Sequence, residues 1–280
     1  MMMFSMVFGV TAQLFRGLRW QQSLEPLGEH ARKSTCIHAV FLSYASSLII
    51  PRIGEVTRCG VLNRYDNVSF AKSIGTVVTE RIIDSLLILF VVAIVILSQM
   101  GLFTDFFAKT GTNLGHFFSQ FTATGYIVTA ICLLITIAFL YWIVKRMSKY
   151  VHFKKIINDI LSGIKSVKAV RRKWLFVAYT LGIWVSYFLH FYITFFCFDF
   201  TENLGLTVAL VAFVVGSIAV IVPTPNGMGP WHFAVKTILV LYGVSAVNGE
   251  TFVLIVHTLQ TALIPVLGVF SLICLSFRRK

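Results

Sequence analysis

Ile82-Ile-Asp-Ser-Leu-Leu-Ile-Leu-Phe-Val-Val-Ala-Ile-Val-Ile-Leu-Ser-Gln-Met100 is an apolar run carrying one formal charge, Asp84. A helix needs about 20 apolar residues to cross a hydrocarbon core roughly 30 Å thick. Comparable runs recur at Thr122–Val144, Trp174–Phe198, Leu206–Val222 and Thr251–Phe277. None alternates apolar and polar residues as the strands of a membrane barrel do. Only helices and closed barrels satisfy their own backbone in hydrocarbon. The reading is an all-α integral membrane protein, a multi-span helical bundle forming a single transmembrane domain over residues 1–280. Composition agrees: the chain is 57% hydrophobic and only 12% charged, whereas soluble domains carry about 25% charged residues.

The net charge of +13 does not indicate nucleic acid, because the basic residues stand between apolar runs. Ten of the 24 lysines and arginines fall within Lys145–Lys173. The positive-inside bias assigns that loop, and the tail Arg278-Arg-Lys280, to the cytoplasm. Arg16–Lys33 and Arg52–Arg81 are further cytoplasmic candidates, while Gly101–Phe121, Thr201–Gly205 and Ala246–Glu250 are expected outside. The five cysteines include no CxxC spacing and read as small buried hydrophobes, not as disulfides or metal ligands. The uncharged start of the chain is a poor signal peptide. No cofactor motif, metal-ligand spacing or nucleophile triad is visible, so no catalytic residue, metal or cofactor is expected.

Two apolar segments are interrupted. Cys36–Ile50 is too short to span, has basic flanks on both sides and stops at Pro51. A re-entrant hairpin from the cytoplasm would satisfy both features. Leu206–Ser245 is broken at Pro223-Thr-Pro-Asn-Gly-Met-Gly-Pro230, and is either a second hairpin or two short spans. The segments resemble each other: Phe41 to Pro51 then Gly54, and Phe213 to Pro223 then Gly227, each followed by another apolar helix. This predicts an inverted repeat with halves 1–100 and 174–280 joined by 101–173. Matching broken segments are the sequence pointer to a transport site.

The candidate site residues cluster at these breaks. Arg52, Glu55 and Arg58 lie just after Pro51. Glu80, Arg81 and Asp84 follow, with Thr76, Glu80 and Asp84 sharing one helix face. A charge at membrane depth must be paired or line a wet cavity, and Arg81 or Arg58 is the expected partner of Asp84. Arginine suits phosphate, whose oxygens its planar fork binds in pairs. Asn226, Gly227, Gly229, His232 and Lys236 form the second cluster, where helix-start amides could receive an anion. The two breaks are expected to meet near the bilayer midplane and to share one cavity. The alternative for the charged cluster is an ion-pair network that pins the broken helix. His190 with Ser186, and His257 with Gln260, read as helix–helix hydrogen bonds.

Three stretches carry a family resemblance: Pro51-Arg-Ile-Gly-Glu-Val-Thr-Arg58, Gly75-Thr-Val-Val-Thr-Glu-Arg-Ile-Ile-Asp84 and Pro223-Thr-Pro-Asn-Gly-Met-Gly229. The sequence resembles the bacterial flippase-like membrane proteins that share the transmembrane region of lysylphosphatidylglycerol synthase. The resemblance covers nearly the whole chain. It implies a multi-pass protein of the bacterial cytoplasmic membrane that moves or handles a phospholipid or other polar lipid, with Arg52, Glu55, Arg58, Glu80, Arg81 and Asp84 as its polar groove. Family members often carry an acidic residue near the position of His232, and the N-terminus starts late against the usual pattern. The synthase's soluble aminoacyl-transfer domain is not in this sequence, so the expected function is lipid flipping rather than catalysis. The alternatives are a membrane-embedded lipid-modifying enzyme and a non-catalytic partner of a cell-envelope enzyme.

Overall fold

The computed structural model describes residues 1–99 and 151–277, with isolated helical positions at 131, 134 and 138. The expected outside segment Gly101–Phe121, most of the run Thr122–Val144, the first part of the basic segment and the tail Arg278–Lys280 lie outside the described residues. The described residues are helical, without strands. The helices are α1 (Met2–Leu24), α2 (Lys33–Ile49), α3 (Gly54–Asp66), α4 (Phe70–Ser98), α5 (Val151–Lys165), α6 (Lys173–Tyr192), α7 (Gly205–Ala219), α8 (Pro230–Leu241) and α9 (Ala246–Ser276). The chain divides into two compact units, residues 1–91 with 159–280, and residues 92–158. Both candidate clusters belong to the first.

Along the described chain the order long, short, short, long occurs twice. Helix α1 has 23 residues, α2 17, α3 13 and α4 29. Helix α6 has 20, α7 15, α8 12 and α9 31. At 1.5 Å per residue the four short helices reach only about 18–26 Å. The sequence reason is the breaks. Pro51 removes a donor, and Arg52 takes a left-handed φ of 66°, so α2 cannot run on. In the second hairpin Pro223 and Pro225 are followed by positive φ at Asn226, Gly227 and Gly229, and Pro230 starts α8 at a position where a missing N–H costs nothing.

Helix α1 packs on α6 and α2, α2 on α3 and α9, α7 on α8, and α8 on α9. Close approaches use glycine. A side chain at Gly54 would strike the Ser43 carbonyl and the Ser47 hydroxyl of α2, and one at Gly75 would strike the Ile160 carbonyl of α5. The outward surfaces of the long helices stay apolar: Leu86, Leu89 and Phe90 on α4, Leu181 and Val185 on α6, and Leu254, Val266 and Leu272 on α9 are all exposed. Among the described residues, Lys173–Cys197 and Ala246–Ser276 are long and apolar enough to cross a membrane, and only 28% and 22% of their apolar windows are buried.

Two expectations need correction. Arg16 to Leu24, read as part of a flanking segment, continues helix α1 and is largely buried. The segment Lys145–Lys173, read as a loop, is helical from Val151 to Lys165 and continues through a 3₁₀ turn at Ser166–Ala169. Its apolar residues Ile160 and Ile164 stand one turn apart with Lys165 on the other side, the pattern of an amphipathic helix.

Candidate functional site

The first cluster is a buried group of charges contributed by α1, α3 and α4. Asp84 is held by α1. Arg19 Nη1 donates to Asp84 Oδ1 at 2.7 Å, and Arg19 Nη2 donates to Oδ2 at 3.2 Å. Arg16 Nη1 lies 3.2 Å from Oδ2. One turn earlier on α4, Glu80 faces Arg58 of α3 at 2.8 Å and Arg19 Nε at 3.6 Å. Arg16, Arg19, Arg58, Glu80 and Asp84 are all buried. The Arg58 guanidinium sits 4.7 Å from the centre of the Trp20 ring, and Trp20 Nε1 donates to Thr76 Oγ1 at 2.9 Å. Thr76, Glu80 and Asp84 thus share the inner face of α4, as their spacing predicts.

Three buried arginines oppose two buried carboxylates, a formal excess of one positive charge. The half-exposed pair of Arg81 with Glu55 at 3.2 Å is neutral and leaves that excess unchanged. Charged groups in a low-dielectric interior need opposite charge and aligned donors. Here Arg58 Nε and Nη2 and Arg16 Nε have no hydrogen-bond partner among the described residues. Arg16 also lies beside aromatic hydroxyls: its guanidinium is 5.9 Å from the Tyr187 ring, and the Tyr187 and Tyr44 hydroxyls meet at 2.6 Å, linking α6 to α2.

Asp84 therefore has arginine partners, but not the expected ones. Arg81 turns outward to Glu55, and Arg58 neutralises Glu80. Charge counting alone assigns Arg16 and Arg19 to the cytoplasmic stretch Arg16–Lys33 and so conceals their part in the cluster. A signal for them exists in the sequence: Gln13, Arg16, Arg19 or Trp20, and Ser23 recur every three to four residues, the polar mirror of an amphipathic face.

The second cluster surrounds the α7–α8 break. Asn226 Nδ2 donates to Thr261 Oγ1 at 2.6 Å, and His257 Nε2 donates to the Asn226 carbonyl at 3.1 Å. The His232 and His257 rings lie 4.4 Å apart. His232 Nδ1 accepts the Gly229 amide at 3.1 Å, so that amide is used internally. Gly227 is buried against Val220, while Gly229 is exposed. Lys236 does not join His232; it pairs with Glu250 at 2.7 Å. His257 belongs to this cluster, and Gln260 donates to the His190 carbonyl at 3.0 Å.

Arg52 bridges the two breaks. Its Nη2 donates to the Ile221 carbonyl at 2.7 Å, across 169 residues of sequence. The breaks thus touch, but the candidate residues form two separate networks around that contact, not one set. Ile221 lies in the turn two residues past the end of α7, where carbonyls lack helical partners. Arg52→Ala should loosen that turn. Hydrogen exchange at the amides of 220–228, Pro223 and Pro225 aside, is expected to accelerate severalfold in the reconstituted chain, as the turn loses a charge-assisted hydrogen bond. Unchanged exchange would show that the contact does not hold the breaks together.

No curated protein and no solved structure matches the chain. A family does match, along residues 1–268, and its description is the lysylphosphatidylglycerol synthase TM region. A match over that share of the sequence, together with the all-helical fold, makes this chain a member of that family.

Proposed function

We propose that this chain is a multi-span protein of the bacterial cytoplasmic membrane that binds and flips a polar lipid through an anionic headgroup. The observation that carries the reading is the buried excess positive charge at Arg16, Arg19 and Arg58 against Glu80 and Asp84. A phosphodiester carries one negative charge and would neutralise it. Arg16 is the natural receiver, because it shares Asp84 with Arg19, which takes both carboxylate oxygens, and its own Nε has no hydrogen-bond partner among the described residues. The Tyr44–Tyr187 contact would act as the movable cover, since its opening separates α2 from α6 beside Arg16. Arg52, Glu55 and Arg81 would line the approach at the surface. The repeated order of long and short helices supports an inverted repeat whose halves rock against each other, with broken helices at the substrate path.

The enzymatic alternative is weaker, because Glu80 and Asp84 each face arginines and neither is free to shuttle a proton. The partner-protein alternative needs the charged cluster on a surface, and Arg58, Glu80 and Asp84 are buried.

A headgroup-resolved flipping assay on the purified chain in proteoliposomes tests the reading. Fluorescent lipids with anionic headgroups should cross well above the protein-free rate. Arg16→Gln should lower that rate about tenfold or more while the chain remains monodisperse, as expected for a lost charge-assisted contact. Rates equal to protein-free vesicles for every headgroup would refute flipping.

A further inference from the structure

The second break brings two imidazoles together, outside the arginine cluster. His232 stands in the first turn of α8, and its Nδ1 accepts the Gly229 amide at 3.1 Å. That nitrogen therefore carries no proton, and the neutral ring keeps its proton on Nε2. His257 of α9 donates from Nε2 to the Asn226 carbonyl at 3.1 Å, which leaves its Nδ1 toward the Thr261 hydroxyl at 3.5 Å. Thr261 Oγ1 accepts from Asn226 Nδ2 at 2.6 Å, so its own proton is available to His257. Both rings are thus held neutral, each by a bond to the turn between α7 and α8.

A further proton acts differently on the two rings. On His257, 9% exposed, it would displace only the Thr261 hydroxyl and leave the Asn226 bond intact. On His232, which is less buried, a charge is better solvated. There the proton would set two N–H donors against each other and break the Gly229 bond. It would also place a cation at the start of α8, where the helix dipole disfavours it. Gly229 is exposed and has a φ of 90°, so its released amide has solvent to meet. The ring centres are 4.4 Å apart, and two imidazolium charges at that distance repel strongly.

Neighbouring charges leave His232 without a counter-ion. Lys236, one turn on, is paired with Glu250 of α9 at 2.7 Å. Helix α7 brings no titratable residue. Helix α2, against which the turn Pro225–Gly227 packs, brings Arg52 just past its end, and Arg52 is held at the Ile221 carbonyl. His190 of α6 is turned to the Ser5 carbonyl at 2.7 Å.

We propose that His232 is a proton-binding site built into the second break. A proton from water adds to Nδ1 as pH falls, the Gly229 amide loses its acceptor, and the first turn of α8 is released. His257 limits the pair to one proton. Because the same turn packs on α2 and follows the Ile221 carbonyl held by Arg52, the proton loosens the place where the two breaks touch. The site does not rest on the flipping reading and takes its proton with no lipid substrate bound.

The test titrates the full chain in phosphatidylcholine nanodiscs between about pH 8 and 5, the window of histidine, and reads Trp231 emission. That ring lies 5.6 Å from His232 and 5.2 Å from His257, and an imidazolium quenches an adjacent indole more than a neutral imidazole does. Subtracting the Trp231→Phe chain removes the other tryptophans. Emission should fall along a one-proton curve. His232→Gln should abolish the curve, while its amide oxygen, at the third helical position, still accepts the Gly229 amide. His257→Gln should leave a one-proton curve. Hydrogen exchange at the Gly229 amide, corrected for the intrinsic effect of pH, reads the cap itself. Its protection should fall severalfold on the acid side in the parent and stay constant in His232→Gln. Parental protection that does not change with pH overturns the site without any variant. So does a Trp231 curve that survives His232→Gln, or a two-proton curve in the parent.

Discussion

Asp84→Ala should nearly eliminate folded protein from the membrane. The substitution removes the acceptor of two Arg19 hydrogen bonds and the counter-charge of Arg16, leaving buried charge with a formal excess of two. Breaking a buried pair by deleting one partner costs about 3–5 kcal/mol, a large share of a typical stability of about 5–15 kcal/mol. The monodisperse fraction of a fluorescently tagged chain after detergent extraction measures the loss. The double variant Asp84→Asn/Arg19→Met returns the buried excess to one positive charge, and should recover at least half of the loss. A double variant no better than Asp84→Ala would mean that shape, not charge, sets the defect. Parental behaviour of Asp84→Ala would remove the cluster from the stability of the fold.

Gly54→Val is expected to be nearly as severe, for a steric reason. The first atom of any side chain there meets the Ser43 carbonyl and Ser47 Oγ. Ser43 O already accepts from Ser46 Oγ at 3.0 Å, and Ser47 Oγ accepts the Gly54 amide at 3.2 Å. Because the obstacle is helix backbone, α2 and α3 must separate, at or above the roughly 3 kcal/mol end of overpacking costs. Gly60 on the same helix supplies the control, since a side chain there meets nothing within 4 Å. Gly60→Ala should be neutral, or stabilising by up to about 1 kcal/mol through helix propensity. Thermal unfolding followed by size exclusion separates the two. Equal midpoints for both variants would contradict the close crossing.

The helices and their breaks were legible because proline and apolar runs act locally. Pro51 and Pro223 mark the ends of α2 and α7, although Pro265 is carried inside α9, and the left-handed turns at Arg52 and Asn226 emerge only in the structure. The spacing of Thr76, Glu80 and Asp84 placed them on one face without any knowledge of neighbours. Their partners were not legible, because partner choice is tertiary. Arg81 is three residues from Asp84, yet it points outward to Glu55, whereas Arg19 arrives from 65 residues earlier. Basic residues near a chain start read as a flank under a charge-counting rule. Only the periodic recurrence of Gln13, Arg16 and Arg19 distinguishes a buried polar face from a loop. His232 and Lys236 stand one helical turn apart in one cluster of the sequence, but each is held by another partner nearby, Gly229 and Glu250.

The 65-residue separation of Arg19 from Asp84 also sets a clock during synthesis. At about 5–20 residues per second, roughly 3–13 s pass between the emergence of Arg19 and that of its bidentate acceptor Asp84. Throughout that interval α1 carries two arginines without the carboxylate that holds them both, and hydrocarbon is a poor place to wait. The first helix must therefore linger in the headgroup layer or the insertion machinery until α4 emerges, and enter the bilayer with it. A ribosome stalled before residue 84 should leave Arg16 and Arg19 reachable by water, and one stalled well beyond it should not.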